Sequence, residues 1–229
     1  MGVDKTNRKP RRKNRKRPKN KNAQQDMRIK QLESLVLKTV ERKNVDYQNV
    51  FNVSTTPATN ANFLGGEQGV GNADRIGNQI TLMSQTLRWN LSIPTGGDNH
   101  NQVRVIIAES TEGAQSLQLT DVLQYGDYAV YGEQVFSSPY TLKTSTNKRY
   151  KVHFDRVYEL NTYGSRCITD MAKIYYGSKK SPGKVVNYDI ALGTDFPTDH
   201  SLRIIAISDS GSSLHPQMSY NVRSTYRDA

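Results

Sequence analysis

Ile80-Thr81-Leu82-Met83-Ser84-Gln85-Thr86-Leu87-Arg88-Trp89-Asn90-Leu91-Ser92-Ile93 is the stretch whose pattern decides the fold. Large apolar side chains alternate with polar ones along it, the period of a strand that buries one face. The phase changes partway. Ile80 and Leu82 stand at even positions, whereas Leu87, Trp89, Leu91 and Ile93 stand at odd ones. Successive strand residues point to opposite faces, so an unbroken strand would send one of these sets into water. A bulge or break within Met83–Thr86 restores a common face, because one extra residue inverts the parity. Pro94-Thr95-Gly96-Gly97 then ends the run.

The same reading extends outward. Tyr47, Val50, Phe51 and Val53 suggest a first strand, followed by a long polar loop over Thr55–Asp74. Val103, Val105 and Ile107 alternate. Tyr150, Val152 and Phe154 alternate with Lys151, His153 and Asp155, which assigns the three apolar residues to one face of a strand running to Leu160. Cys167–Tyr176, Val185–Ala191, Leu202–Ile207 and Met218–Tyr226 supply four more strands, eight in all. Leu117–Leu123 suits a short helix, and the Gly- and Tyr-rich Tyr125–Tyr140 reads as an irregular connection. Strands do not alternate regularly with long helices, which excludes a doubly wound fold. The expected fold is all-β: an eight-stranded jelly-roll sandwich with a disordered basic N-terminal arm and a short N-terminal helix.

The charge is concentrated in that arm. Lys5, Arg8, Lys9, Arg11, Arg12, Lys13, Arg15, Lys16, Arg17, Lys19 and Lys21 fall within seventeen residues, and Asp4 is the only acid among the first 22. Eleven cations against one acid give this segment +10 of the chain's +11, leaving +1 for residues 23–229. Like charges repel and Pro10 and Pro18 interrupt a helix, so the segment reads as disordered. Each cation can release a condensed counterion from a phosphate backbone, which gives affinity without sequence preference. The arm carries no aromatic residue on which a base would stack. A nuclear-import signal needs only a short basic cluster and can coexist with a packaging role.

The boundaries read as an arm over 1–25, an amphipathic helix and linker over 26–44, and a sandwich over 45–229. Asp26 is the expected N-cap of that helix. Ile29, Leu32, Val36 and Val40 follow helical spacing, with Lys30, Lys38, Arg42 and Lys43 on other faces. The apolar stripe suits packing under the main domain, and it also permits self-association about a symmetry axis.

The usual catalytic and metal-binding signatures are missing. His100, His153, His200 and His215 show no paired ligand spacing, and Cys167 has no partner cysteine, so it reads as a small core residue. Gly69–Asp74 lacks the third glycine of a dinucleotide loop. Gly177–Lys184 departs from a phosphate loop in its spacing, and Val185 stands where Ser or Thr would bind magnesium, so a hairpin with exposed lysines is expected. Asp195, Thr198 and Asp199 offer oxygens for calcium but read more simply as a turn. No catalytic residue, cofactor or metal is expected. No run approaches the ~20 apolar residues needed to span a bilayer, and no apolar leader follows the basic segment.

Arg75–Ile80, Asn101–Ile106, Asp121-Val122-Leu123, Tyr150–Asp155 and Tyr226-Arg227-Asp228 carry a resemblance. Their succession behind a basic arm resembles the single jelly-roll capsid proteins of circular single-stranded DNA viruses, and is similar to the satellite tobacco necrosis virus capsid protein. The resemblance implies a viral coat protein that assembles with itself, in the simplest (T=1) shell as about 60 copies with closed symmetry. It implies a single-stranded genome as partner, DNA ahead of RNA, and residence in the virion, with the host nucleus as a site of assembly. The competing class is a cellular RNA-binding or ribosomal-type protein with a basic tail. Such a protein would place basic residues on its folded body too, which the +1 body does not favour.

Overall fold

A computed structural model describes residues 21–39, 42–60, 63–64, 69, 74–110, 117–141, 150–177, 183–188, 197–211 and 213–228. The chain divides into two units between Val40 and Glu41. The first contains helix α1, Lys21–Thr39. It begins ahead of the expected boundary, because Asn22-Ala23-Gln24-Gln25 holds neither proline nor charge. Asp26 therefore lies inside α1 and is not its N-cap. Met27, Ile29 and Leu32 on its described turns are exposed.

The second unit is a sandwich. In chain order its strands are β1 (Arg42–Asn52), β2 (Ala58–Asn60), β3 (Gln79–Ser92), β4 (His100–Ser110), β5 (Tyr150–Asn161), β6 (Cys167–Tyr175), β7 (Lys184–Asn187), β8 (Ser201–Ser208) and β9 (Gln217–Asp228). One sheet has the order β1-β9-β3-β6, with β7 also on β3; the other has the order β2-β8-β4-β5. Every described pairing is antiparallel. Strands adjacent in sequence thus fall mostly in opposite sheets, and β1 closes on the last strand. This is the jelly-roll arrangement.

Nine strands are described against the eight expected, and the membership differs. β2 lies inside the segment read as a polar loop. Ala58-Thr59-Asn60 shows no apolar alternation, and its pairing with β8 rests on backbone hydrogen bonds. β7, read as a main strand, is the supernumerary one. β1 starts at Arg42, so Arg42 and Lys43 belong to a strand and not to the helix. Lys43 is buried there because Asp228 lies 2.9 Å from its ammonium.

Two bulges organise the interior. The first is at Met83, between the Leu82–Tyr226 and Ser84–Thr225 pairs, within the window where the sequence changes phase. It is also where the β3 edge changes partner: β6 pairs with Ser84–Ser92 and β7 with Gln79–Leu82. The amides of Tyr176 and Gly177 donate to the Met83 carbonyl at 2.9 and 3.1 Å, closing the branch. Gly183, at φ +124°, lets the chain re-enter, since a Cβ there would lie 2.6 Å from the Leu82 carbonyl oxygen.

The second bulge is at His153, between the Ile107–Phe154 and Ala108–Val152 pairs. It corrects the one-face reading of β5. Phe154 packs against the inner core, while Tyr150 and Val152 join a separate outer cluster. That cluster forms where residues 117–141 fold over the β2-β8-β4-β5 sheet. The segment contains α2 (Leu119–Val122), α3 (Tyr128–Tyr131) and α4 (Gln134–Ser137), the last two within the stretch read as irregular. Leu119, Val122, Val135 and Phe136 cover Ile106, Ala108, Ile205 and Ile207.

Candidate functional site

Ten of the eleven arm residues, Lys5 through Lys19, lie outside the described residues, and Lys21 is the first residue of α1. The described residues do show how far the sandwich itself offers cations to a polyanion. Several of its basic side chains are engaged internally. Arg104, projecting from β4, makes a two-point ion pair with Asp155 at 2.9 and 2.7 Å. Its remaining nitrogen donates to the carbonyls of Val135, Phe136 and Ser138, pinning the α4 region to the sheet. Tyr140 also donates to Asp155, at 3.0 Å. Burial, then the Asp155 charge, pushes the Tyr140 phenol up to about 12. Arg156 meets Asp170 at 2.5 Å, and Arg166 donates to the Ile93 carbonyl at 3.1 Å.

The outward face of the β1-β9-β3-β6 sheet is polar and only weakly basic. Strand register aligns Lys173, Thr86, Arg223 and Asp46 in one row across it. Asp46 accepts both guanidinium bonds of Arg223 at 2.7 and 2.6 Å, which holds its carboxyl below its usual range. Lys173 sits 4.9 Å from the Tyr175 ring centroid. Arg88, one row along, is exposed and makes no ion pair among the described residues. Most other outward positions, such as Asn90, Ser92, Thr169, Ser219 and Asn221, are uncharged hydrogen-bonding side chains.

A buried polar layer crosses the sandwich beside the two bulges, between the main core and a smaller cluster around Ile80, Leu82 and Tyr188. Past the Met83 bulge the first inward position of β3 is Gln85, fully buried. Its amide nitrogen donates to the Ser224 hydroxyl at 3.0 Å, and that hydroxyl donates to the Phe63 carbonyl at 2.9 Å. Its amide oxygen accepts from Tyr176 at 3.0 Å and faces His200 Nε2 at 3.2 Å. On the opposite sheet Glu109 receives His153 Nε2 at 2.8 Å and the Lys184 ammonium, with His200 Nδ1 at 3.3 Å. Lys184 Nζ also lies 3.1 Å from His200 Nδ1. Burial alone would raise the Glu109 carboxyl. The bonds from His153 and Lys184, with His200 beside them, overcome that and hold it far below the usual carboxylate range.

The sequence spacing of these residues gave no sign of the layer. Glu109, His153, Lys184 and His200 come from four different strands or their ends, and only the fold brings them together. Lys184, read as an exposed hairpin lysine, is instead anchored inside this layer, and residues 178–182 of the hairpin lie outside the described residues. Cys167, read as a core residue, is exposed, because it opens β6 on the outward face and contacts Asn90. Asp195 lies outside the described residues. Asp199 closes the turn by accepting from the Asn187 amide and side chain at 2.9 and 2.6 Å. The Gly69–Asp74 loop is mostly outside the described residues, and those described contain no group of three or more His, Cys, Asp or Glu placed to hold a metal ion.

The strand order defines a jelly-roll protein. The sequence matches no protein-family model and no curated protein. Among solved structures, the chain is similar to one titled Desmodium yellow mottle tymovirus, at 7% identity over 82% of this chain and 88% of that one, with a TM-score of 0.40. A full particle of Israeli acute paralysis virus heated to 63 degrees gives 11% identity over 100% and 81%, with a TM-score of 0.30. A pentamer of the same virus gives 9% identity over 100% and 81%, with a TM-score of 0.29. Likeness at this level fixes neither family nor function, and the fold assignment rests on strand order and register.

Proposed function

We propose that the chain is the coat protein of a small icosahedral virus, with no enzymatic role. The sandwich forms a closed shell of identical copies, and the arm grips a single-stranded genome on the inside. The observation that carries this reading is the division of charge: eleven cations in seventeen residues, joined to a body of net +1. The body's own cations support it, since Lys43, Arg104, Arg156, Lys184 and Arg223 are each matched to an acid of the sandwich. A cellular RNA-binding protein would aim such residues at its ligand.

Within this proposal the basic segment ahead of α1 is the binding arm, α1 a linker and the sandwich from β1 onward the shell domain. The partners are further copies of the chain and the genome, DNA ahead of RNA. No cofactor or membrane is involved, and the protein resides in the virion. Electron microscopy of the purified chain tests the reading. Uniform closed shells holding nuclease-protected nucleic acid are expected, and deletion of residues 2–20 should empty them. Monomers or irregular aggregates across a range of salt and pH would overturn the proposal.

A further inference from the structure

With His200 neutral, the hydrogen bonds of the buried layer admit one consistent set of protons. The Ser224 hydrogen goes to the Phe63 carbonyl, so its oxygen accepts from the Gln85 amide nitrogen. Gln85 then presents only its oxygen to Tyr176 and His200, so His200 Nε2 must carry a hydrogen. A neutral imidazole with Nε2–H leaves a lone pair on Nδ1, and the Lys184 ammonium, 3.1 Å away, donates to it. Lys184 therefore spans Glu109 of β4 and His200 at the head of β8. It opens β7, a strand of four residues that, among the described strands, pairs with β3 alone.

We propose that this layer is an acid-released clasp: a proton entering at His200 Nδ1 displaces Lys184 from the imidazole and frees the β7 strand. The displaced lone pair becomes an N–H that can donate to Glu109 Oε1, already 3.3 Å from it. One buried carboxylate thus exchanges one cation for another, and the lysine, partly open to solvent, is the one that can leave. The groups facing His200 are Glu109 and Lys184, the Tyr176 ring at 5.5 Å, Gln85 and the adjacent Asp199; His153 reaches it through Glu109 and through the Tyr176 ring, 6.3 Å from its own.

The direction follows from burial, which lowers the His200 pKa from 6.5, with the Lys184 charge adding to it against the pull of Glu109. A depressed histidine contributes stability that is complete above 6.5 and is lost as pH falls through its folded value. The clasp is therefore shut at neutral pH and opens as pH falls below 6.5 through the folded-state midpoint of His200.

Hydrogen exchange of the full chain, read by mass spectrometry, tests the exchange of cations. Imidazole C2 exchange reports the His200 midpoint, and amide exchange over 183–188 reports β7. In the wild type, β7 amides should gain about tenfold in corrected exchange as pH falls below 6.5 through the His200 midpoint, while β9 stays protected. Lys184→Met should raise the His200 midpoint by about one pH unit, because the competitor for Nδ1 is gone, and should flatten the β7 response. Lys184→Arg should keep the wild-type midpoint within a few tenths of a unit. An unchanged or lowered midpoint in Lys184→Met overturns the proposal. So does a wild-type β7 response that follows His153, or one that appears only when β9 also loses protection in global acid unfolding. Should Lys184→Met fail to fold, the coincidence of the two wild-type midpoints decides.

Discussion

Arg104 and Arg223 make the same two-point bond to an aspartate, and their surroundings separate them. Arg104 and Asp155 are nearly buried, with side chains 7% and 15% exposed, and the guanidinium also satisfies the carbonyls of the α4 region. Arg104→Ala leaves a carboxylate and those carbonyls without their partner, which is expected to cost about 3–5 kcal/mol by denaturant unfolding. Arg104→Lys should recover only part of it, since an ammonium cannot reproduce the planar fork. Arg223 and Asp46 are more than half exposed, and Asp46→Asn should leave the unfolding midpoint unchanged within error. Tyr140 adds a pH signature to the buried site. Its folded phenol holds its proton more tightly than the ordinary 10.0, so its contribution is present below pH 10 and is lost as pH rises through about 12. Removing that component with Tyr140→Phe should flatten the alkaline limb of stability against pH, and ultraviolet titration should lose one late-ionising tyrosine.

At the level of strands, the Met83 bulge keeps both halves of β3 facing the core. Deleting Met83 removes the extra residue and makes β3 regular, so Ile80 and Leu82 keep facing the core while the Tyr176 and Gly177 amides lose their acceptor at the branch. Both side chains are essentially buried, and exposing the two would cost about 3–6 kcal/mol. The deletion should therefore fold cooperatively and lose less than that in a urea titration; a loss of the full amount would mean that Met83 is not the residue that reconciles the two halves. This bulge was legible in the sequence because solvent lies on the other side of β3, so polar residues mark the outward positions. The His153 bulge was not. β5 has an apolar surface on each side, the inner core and the cover formed by residues 117–141, so Tyr150 and Phe154 look alike in sequence while facing opposite ways. β2 was hidden because three residues held by backbone bonds leave no side-chain pattern. The polar layer was hidden for a related reason: Gln85 and Glu109 read as solvent-facing until the fold supplies Ser224, Lys184 and the histidines. Core strands and the charge block follow from local pattern, whereas this layer depends on distant residues meeting.

For the whole molecule, the separation of a polycation from a near-neutral sandwich fixes how binding should respond to salt. Ten net charges on the arm, each releasing a counterion from a single strand, give a log–log slope of about −7 against salt concentration. A binder that reads bases from its folded surface would show a shallower slope and a sequence preference. Titrating the full-length chain with unrelated single-stranded oligonucleotides, under conditions that block assembly, should give similar affinities and this steep slope. Deletion of residues 2–20 should flatten it while leaving the cooperative unfolding of the sandwich in place. The same charge bounds the cargo. A shell of about 60 copies brings on the order of 600 positive charges from its arms, each balancing about one phosphate. Mobile counterions balance more, so nucleic acid extracted from such shells should be on the order of 1,000 nucleotides of single strand. Recovery of strands several times longer from a shell of that copy number would require cations beyond those of the arm, on a body of net +1. Among the described residues, Lys43, Arg104 and Lys184 are held by the sandwich's own acids, and the outward face of the β1-β9-β3-β6 sheet offers little beyond Arg88 and Lys173. That result would refute the arm as the principal grip on the genome.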